Sequence, residues 1–395
     1  MTGPVTAAPS SRTGTGAVTA RLASLDVFRG FNIAAMILVN TPGDGSHTYA
    51  PLLHATWDRL TPTDLVFPFF MFIVGVALAA ALRPYWSGER APDGALYLRL
   101  ARRAAILILL GLIINAFPTF DLATWRIPGV LQRIGIGFFF ASVIVLNVSR
   151  RWQYAIGAAI LGAYAAVLLF ASAPGVAPGQ IEPTANVSRW FDLQVFSAAH
   201  VYTVWPTEPE GLLSTPSAIV SVLLGCWTGM TVVGRLPSSR LGTRIIACGA
   251  VLAVLGWGLS PIVPMVKMIW SPTFVLFTGG WAMIAFGVCY LLTDVRRAST
   301  PHALRDGASN RLWPVLVFGR NAILAYVLSE FAAVALSMLT VQGMAFPLFV
   351  TTRLAGRAGG LLSLEMASLI YACLFTLTIW LLLLVPYRRR WFVRV

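Results

Sequence analysis

Charge is what this sequence has least of. Of its 395 residues only 11% are Asp, Glu, Lys or Arg, where a soluble domain carries roughly 25%. There are 15 acidic residues against 29 basic ones, and a single basic residue, Lys267, is a lysine. This shortage excludes a soluble globular enzyme. A mean hydropathy of +0.76, with 57% hydrophobic residues, excludes a disordered chain. Cysteine is scarce too. Cys226, Cys248, Cys289 and Cys373 all lie in apolar runs, without metal-ligand spacing, and read as small buried hydrophobes. No metal site and no disulfide frame is expected. Alternating strand patterning is absent, which leaves a helical bundle and not a barrel.

What is present is a series of apolar runs. A bilayer core about 30 Å thick needs about 20 mostly apolar residues per helix. About ten runs qualify as spans: 25–40, 64–82, 101–117, 130–147, 153–172, 216–234, 244–260, 273–293, 313–339 and 364–385. Asp26 and Arg29 interrupt the first, and Arg320, Asn321 and Glu330 lie inside the ninth. Polar groups there must face other helices or water, because charge in lipid costs several kcal/mol. Residues 1–20, rich in Ala, Thr, Ser and Gly, are expected to form a disordered cytoplasmic tail, and 21–395 a single transmembrane domain. The run after Arg29 is followed by no small-x-small site and is not read as a cleaved signal.

The net charge of +14 resembles a nucleic-acid signal until the basic residues are placed. Alternate segments between the spans carry 21 of the 29, including Arg99, Arg102, Arg103, Arg150, Arg235, Arg296 and Arg388. The other segments carry six: Arg59, Arg126, Arg189, Lys267, Arg353 and Arg357. Arg133 and Arg320 fall within spans. By the positive-inside rule both termini are cytoplasmic and the span count is even. The expected location is the inner membrane, multi-pass, with membrane lipid and no nucleic acid as partner.

The opposite, outer segments hold His47, His54 and His200, while His302 falls inside. They also hold Asp44, Asp58, Asp121, Glu182, Asp192, Glu208 and Glu210. A long outer loop at about 173–215, rich in Pro, Trp and Tyr, either caps a site or is a solvated cover with interfacial aromatics. The densest polar cluster is Asn40-Thr-Pro-Gly-Asp-Gly-Ser-His47, then His54-Ala-Thr-Trp57-Asp58, then Thr61-Pro-Thr-Asp64. A neutral imidazole there can take a proton from a nucleophile near neutral pH. Asn40 could hold a carbonyl oxygen or orient that imidazole. Asp64 opens the second helix and could serve as its cap.

Several blocks resemble one family. They are Arg21-Leu-Ala-Ser-Leu-Asp-Val-Phe-Arg-Gly30, Met36-Ile-Leu-Val-Asn40, His54-Ala-Thr-Trp-Asp-Arg-Leu-Thr-Pro-Thr-Asp-Leu-Val-Phe-Pro-Phe69, Arg126-Ile-Pro-Gly-Val-Leu-Gln-Arg-Ile-Gly135, Lys267-Met-Ile-Trp-Ser-Pro-Thr-Phe-Val-Leu276, and Gly319-Arg-Asn-Ala-Ile-Leu-Ala-Tyr326. In this order they resemble the heparan-α-glucosaminide N-acetyltransferase family of transmembrane acyltransferases, as a bacterial member. The resemblance implies acetyl-CoA as co-substrate, with transfer of its acetyl group across the membrane to an amine on a sugar. It matches the family's active-site histidine to His54 and its nearby asparagine to Asn40, with a somewhat longer spacing through Pro42–Ser46. The large luminal N-terminal domain of the animal enzymes is expected to be absent, so a small amino sugar or cell-wall fragment is the expected acceptor.

On that reading the catalytic residues are His54, Asn40 and Asp64. The phosphates of coenzyme A want Arg at the inner mouth, where bidentate guanidinium contacts are strong. The candidates are Arg29, which the positive-inside rule also explains without a ligand, and Arg133 with Gln132 and Arg320 with Asn321, for which a pairing with Glu330 or Asp26 is the alternative. Lys267 is expected to bind an acidic group on the acceptor or to pair with Asp64. Trp57 and Trp270 could stack on a sugar face or belong to an interfacial belt. A homodimer would suit the family. Two other functions fit the composition: a multi-span transporter of sugars or cell-wall fragments, and an O-acyltransferase acting on a glycan.

Overall fold

The computed structural model describes residues 22–299, 312–358 and 361–392. The expected tail at 1–20 and His302 lie outside the described residues. The described part is an all-α bundle with one two-residue hairpin, Thr340–Val341 against Met344–Ala345. The helices are α1 (Ala23–Asn40), α2 (Val66–Ala81), α3 (Gly94–Ala116), α4 (Val130–Asn147), α5 (Arg150–Phe170), α6 (Val187–Phe196), α7 (Thr215–Val232), α8 (Ser239–Gly258), α9 (Pro272–Tyr290), α10 (Trp313–Arg320), α11 (Ala322–Met338), α12 (Phe346–Arg357) and α13 (Leu364–Arg388).

Eight helices among the described residues are long and apolar enough to cross a membrane, and nine if α10 and α11 count as one broken span. The ten expected runs map onto these nine and onto α3. That helix has 23 residues, enough for about 34 Å at about 1.5 Å each, but Arg99, Arg102 and Arg103 charge its first half. The fold is that of an all-α, multi-pass membrane protein. The expected ninth span is not straight: α10 and α11 meet at 80°, around a buried Asn321.

Two features position the site. First, α2 and α7 cross with their backbones in contact. A Cβ added to Gly75 would lie 2.0 Å from the Val222 carbonyl oxygen, and one on Gly225 2.0 Å from that of Phe72. Small residues allow this closeness, and dispersion across the contact holds apolar helices together where burial from water cannot. Second, α9 continues through a π-helical turn, Leu291–Val295, whose Asp294 caps α1. Its two carboxylate oxygens accept from the Ala23 and Ser24 amides at 2.9 and 3.1 Å, in place of a local N-cap side chain.

The long loop is a structured cap. It contains α6 and is tied to the bundle by buried charge. Arg126 bridges Glu208 and Glu210, at 2.6 Å to the latter, and lies 4.4 Å from the Tyr202 ring centroid. Burial opposes its charge, yet Glu210 and Glu208 raise its pKa. Asp192 accepts from the Leu212 amide at 2.7 Å. Burial raises its pKa to about 6. Residue 211 must be glycine, because a Cβ there would lie 1.8 Å from the Asp192 carboxylate.

Candidate active site

Asp64 organises the site from the foot of α2. It lies in the 3-10 turn Pro62–Leu65, where Thr61 forms a capping box with it. Its side chain is fully buried, and five donors surround it. Oδ2 accepts from the backbone amides of Ala55 at 3.1 Å and Thr61 at 3.0 Å, and from the Thr61 hydroxyl at 3.2 Å. Oδ1 lies 2.9 Å from His54 Nδ1 and 3.0 Å from Lys267 Nζ. A buried carboxylate is tolerated only when satisfied in this way. Asp64 is therefore both helix cap and the anchor of the imidazole.

His54 lies at the surface side of this anchor, with 35% of its side chain exposed against 13% for Lys267. Lys267 Nζ is 2.8 Å from the same Nδ1. A single ring nitrogen cannot both donate to Asp64 and accept from Lys267. When Nδ1–H donates to Asp64, Nε2 keeps its lone pair and can act as a base. When the ammonium donates to Nδ1, Nε2 carries the proton. Burial pulls the Lys267 ammonium below its ordinary pKa, against the raising effect of Asp64.

A strained turn delivers Lys267. Trp270 adopts φ +48°, a conformation that costs a bulky residue about 1–3 kcal/mol. The turn is closed by Trp270 N–H to the Lys267 carbonyl at 2.9 Å and Ser271 N–H to that of Val266 at 3.1 Å. The Trp270 indole, 1% exposed, anchors it. Its Nε1 donates to Ser221 Oγ at 3.1 Å, and its ring meets Phe67 and Phe274 edge-on. Trp270 is thus a core residue that cannot stack on a sugar, which corrects one of its two expected roles. Trp57 is half-buried, and its Nε1 donates to the Ile181 carbonyl at 3.0 Å, pinning the first loop to the cap.

The other expected site residues separate into two ends of the bundle. Asn40, at the exposed end of α1, neighbours Glu330 on α11. That neighbour was not expected from the sequence. Arg133 and Gln132 lie in the first turn of α4, under the cap. Arg133 is 1% exposed. It donates to the Gly211 carbonyl at 2.8 Å and to the Ser214 hydroxyl, and its guanidinium lies 5.1 Å from the Trp270 ring centroid. Gln132 donates to the Ile127 carbonyl at 3.0 Å. Both therefore lie at the cap end, with Arg133 Nε and Nη1 and Gln132 Oε1 buried without a partner.

Arg29 is at the other end. It donates to the Gly319 carbonyl and to Asp26, both at 2.6 Å. Together with Arg103 it lines a cavity of about 70 Å³, otherwise walled by apolar side chains of α2, α3, α4 and α11. Arg103 stacks 4.7 Å from the Phe138 ring centroid, and its buried Nε has no partner. Ala322 and Ile323, just past the Asn321 break, line the same cavity. Arg320 stacks over Tyr387 and Phe392 at 5.5 and 5.7 Å. Helix α2 joins the two ends. Its Phe70–Leu78 stretch walls the cavity, roughly 9 to 21 Å along the axis from Asp64 at about 1.5 Å per residue.

The chain is similar to known proteins. Residues 21–196 match the family model of the heparan-alpha-glucosaminide N-acetyltransferase catalytic region. The human heparan-alpha-glucosaminide N-acetyltransferase is 27% identical over 366 residues, covering 78% of this chain and 52% of the human protein. The mouse protein of that name is 26% identical over 362 residues, covering 78% of this chain and 53% of its own. The chain spans about half the length of these curated relatives. The family match contains Asn40, His54 and Asp64, and together these comparisons support the heparan-α-glucosaminide N-acetyltransferase-like family for this chain.

Proposed function

We propose that this chain is a transmembrane N-acetyltransferase that moves the acetyl group of acetyl-CoA to the amine of a glucosamine-type sugar. The relatives' name supplies the reaction class. The observation that carries the reading is the His54–Asp64–Lys267 constellation, a half-exposed imidazole fixed by a fully buried carboxylate. That is the arrangement of a general base with its orienting group.

In the reacting tautomer Nδ1–H donates to Asp64 and Nε2 faces the acceptor. The amine nitrogen attacks the thioester carbonyl, the C–N bond forms, and Nε2 takes the amine proton. The C–S bond then breaks, and the thiolate of coenzyme A leaves and is reprotonated from the imidazolium. Asn40, beside Glu330, would hold the carbonyl oxygen as negative charge builds on it. One such donor is worth roughly 2.7–4 kcal/mol. Lys267 stabilises the Asp64 carboxylate and, by competing for Nδ1, biases the tautomer. It is assigned here to the base and not to the acceptor.

The donor enters from the end rich in arginine, which the positive-inside rule makes cytoplasmic, with both termini on that side. Arg29 and Arg103 carry like charges into an apolar cavity, and Arg103 retains a buried, unpartnered Nε. A phosphate of coenzyme A satisfies both. The cavity of about 70 Å³ accepts a phosphate-sized group, and the thioester arm would run along α2 toward His54. Arg320 and Asn321, at the break beside the cavity, are assigned to the same mouth.

The test is acetyl transfer from labelled acetyl-CoA to glucosamine by the purified full chain. The wild type should form N-acetylglucosamine. His54→Ala, folded and still binding acetyl-CoA, should not. A variant that works at the wild-type rate removes the assignment. An acetyl-enzyme trapped by acid quench would make Nε2 an acetyl carrier instead of a base.

A further inference from the structure

A second polar cavity lies at the arginine-rich end, and nothing in the proposed reaction uses it. It measures about 480 Å³ and shares no lining residue with the Arg29–Arg103 cavity. Its rim carries Arg150, at the start of α5, and Arg235, just past α7. Asn147 and Ser149 add hydrogen-bonding groups, Tyr85 and Trp86 form an aromatic wall, and no acidic residue lines it. Neither rim guanidinium has an ion pair or a side-chain hydrogen bond among the described residues. Two cations facing one polar cavity without an acid call for an anion.

The surroundings suit the headgroup level of a bilayer. Trp152 and Tyr154, near the start of α5, are 58% and 46% exposed. Such rings collect at the headgroup level of a bilayer. Trp86 is held there too, its Nε1 donating to the Ala79 carbonyl at 2.7 Å. The floor, Val145 and Met230, is apolar. The cavity is therefore polar at its rim, apolar below, and ringed by interfacial aromatics. We infer that it binds the phosphate of an anionic phospholipid headgroup, with Arg150 and Arg235 on the phosphate and the acyl chains running down the bundle surface. Basic pockets between membrane helices on the cytoplasmic side are the sites where such headgroups lodge.

The test is native mass spectrometry of the purified full chain with phosphatidylglycerol or phosphatidylcholine. Phosphatidylglycerol should be retained in preference to phosphatidylcholine. Each arginine is worth on the order of fivefold in affinity, so Arg150→Gln with Arg235→Gln should lose most of that preference. A control pair from the same end, Arg240→Gln with Arg244→Gln, should keep it. Should the double variant fail to fold, the single Arg235→Gln, at an exposed position, should still show its share of the loss. Undiminished retention in the variant overturns the site, and so does an equal loss in the control pair. Displacement of the lipid by coenzyme A would make this a nucleotide site and overturn the lipid assignment. No arm measures acetyl transfer, so its outcome is separate from that of the proposed reaction.

Discussion

Two charged sites of the bundle, the Asp64 cluster and the Arg29–Arg103 cavity, differ in how their charge is partnered. Both carboxylate oxygens of Asp64 have partners, whereas under the cap Arg133 keeps a buried, unpartnered Nε and Nη1 and Asp192 an unpartnered Oδ2. At the arginine-rich end Arg103 is left with a buried, unpartnered Nε, and Arg150 and Arg235 face a cavity without an acid. A satisfied network is preorganised: it holds one geometry at no further cost when a substrate arrives. Unsatisfied cations are stabilised by an anion that the chain itself does not supply. Under the proposed function the Asp64 cluster serves the chemistry and the Arg29–Arg103 cavity serves anion binding.

Breaking the Asp64 cluster should cost the most. His54→Ala removes the base and should lower kcat by roughly 10²–10⁴, with the melting temperature little changed because the ring is half-exposed. Asp64→Asn should lower kcat on the order of 10²-fold, since an amide cannot accept from all five donors, and it should also cost stability. Both are read by steady-state kinetics beside a thermal melt.

The Arg29–Arg103 cavity should respond in binding and not in chemistry. Arg103→Gln should raise KM for acetyl-CoA on the order of tenfold while kcat holds. A fall in kcat at constant KM would place Arg103 on the chemical step and blur the division.

Lys267→Met sharpens the cap end. Removing a cation beside the imidazole favours the protonated ring, so activity should fall off at a higher pH on the acid side. The rate near neutrality should drop about threefold to tenfold. A purely structural lysine would leave the pH profile in place.

The smallest effect concerns the cap. Asp192 has its pKa raised from 3.8 to about 6 by burial, so the folded state holds this proton more tightly than the unfolded chain does. Its contribution to stability is fully present below about pH 4 and is lost as pH rises through about 6. Asp192→Asn should flatten that part of the melting temperature against pH, provided the Leu212 contact survives.

Much of this was legible in the sequence, and the rest was hidden for physical reasons. His54 and Asp64 sit ten positions apart in one polar block, and a carboxylate at a helix start is readable as a cap. That both converge with Lys267 was only half visible, because a lysine more than two hundred positions away is placed by tertiary folding alone. Arg133 lies in an apolar run that does not reveal which end of the bundle it serves; its position, one helical turn into α4, puts it under the cap. Trp270 carries no mark of burial in the sequence; a positive φ and the Ser221 contact decide it. The break at Asn321 follows an Arg-Asn pair in an otherwise continuous run, and only packing shows its 80° bend.

Sealed vesicles holding labelled acetyl-CoA inside, with the arginine-rich end of the protein facing in, test the account most directly. Glucosamine supplied only outside should become acetylated, and His54→Ala vesicles should produce nothing. Label that appears only when donor and acceptor share one compartment, or sugar that crosses unmodified, would contradict it.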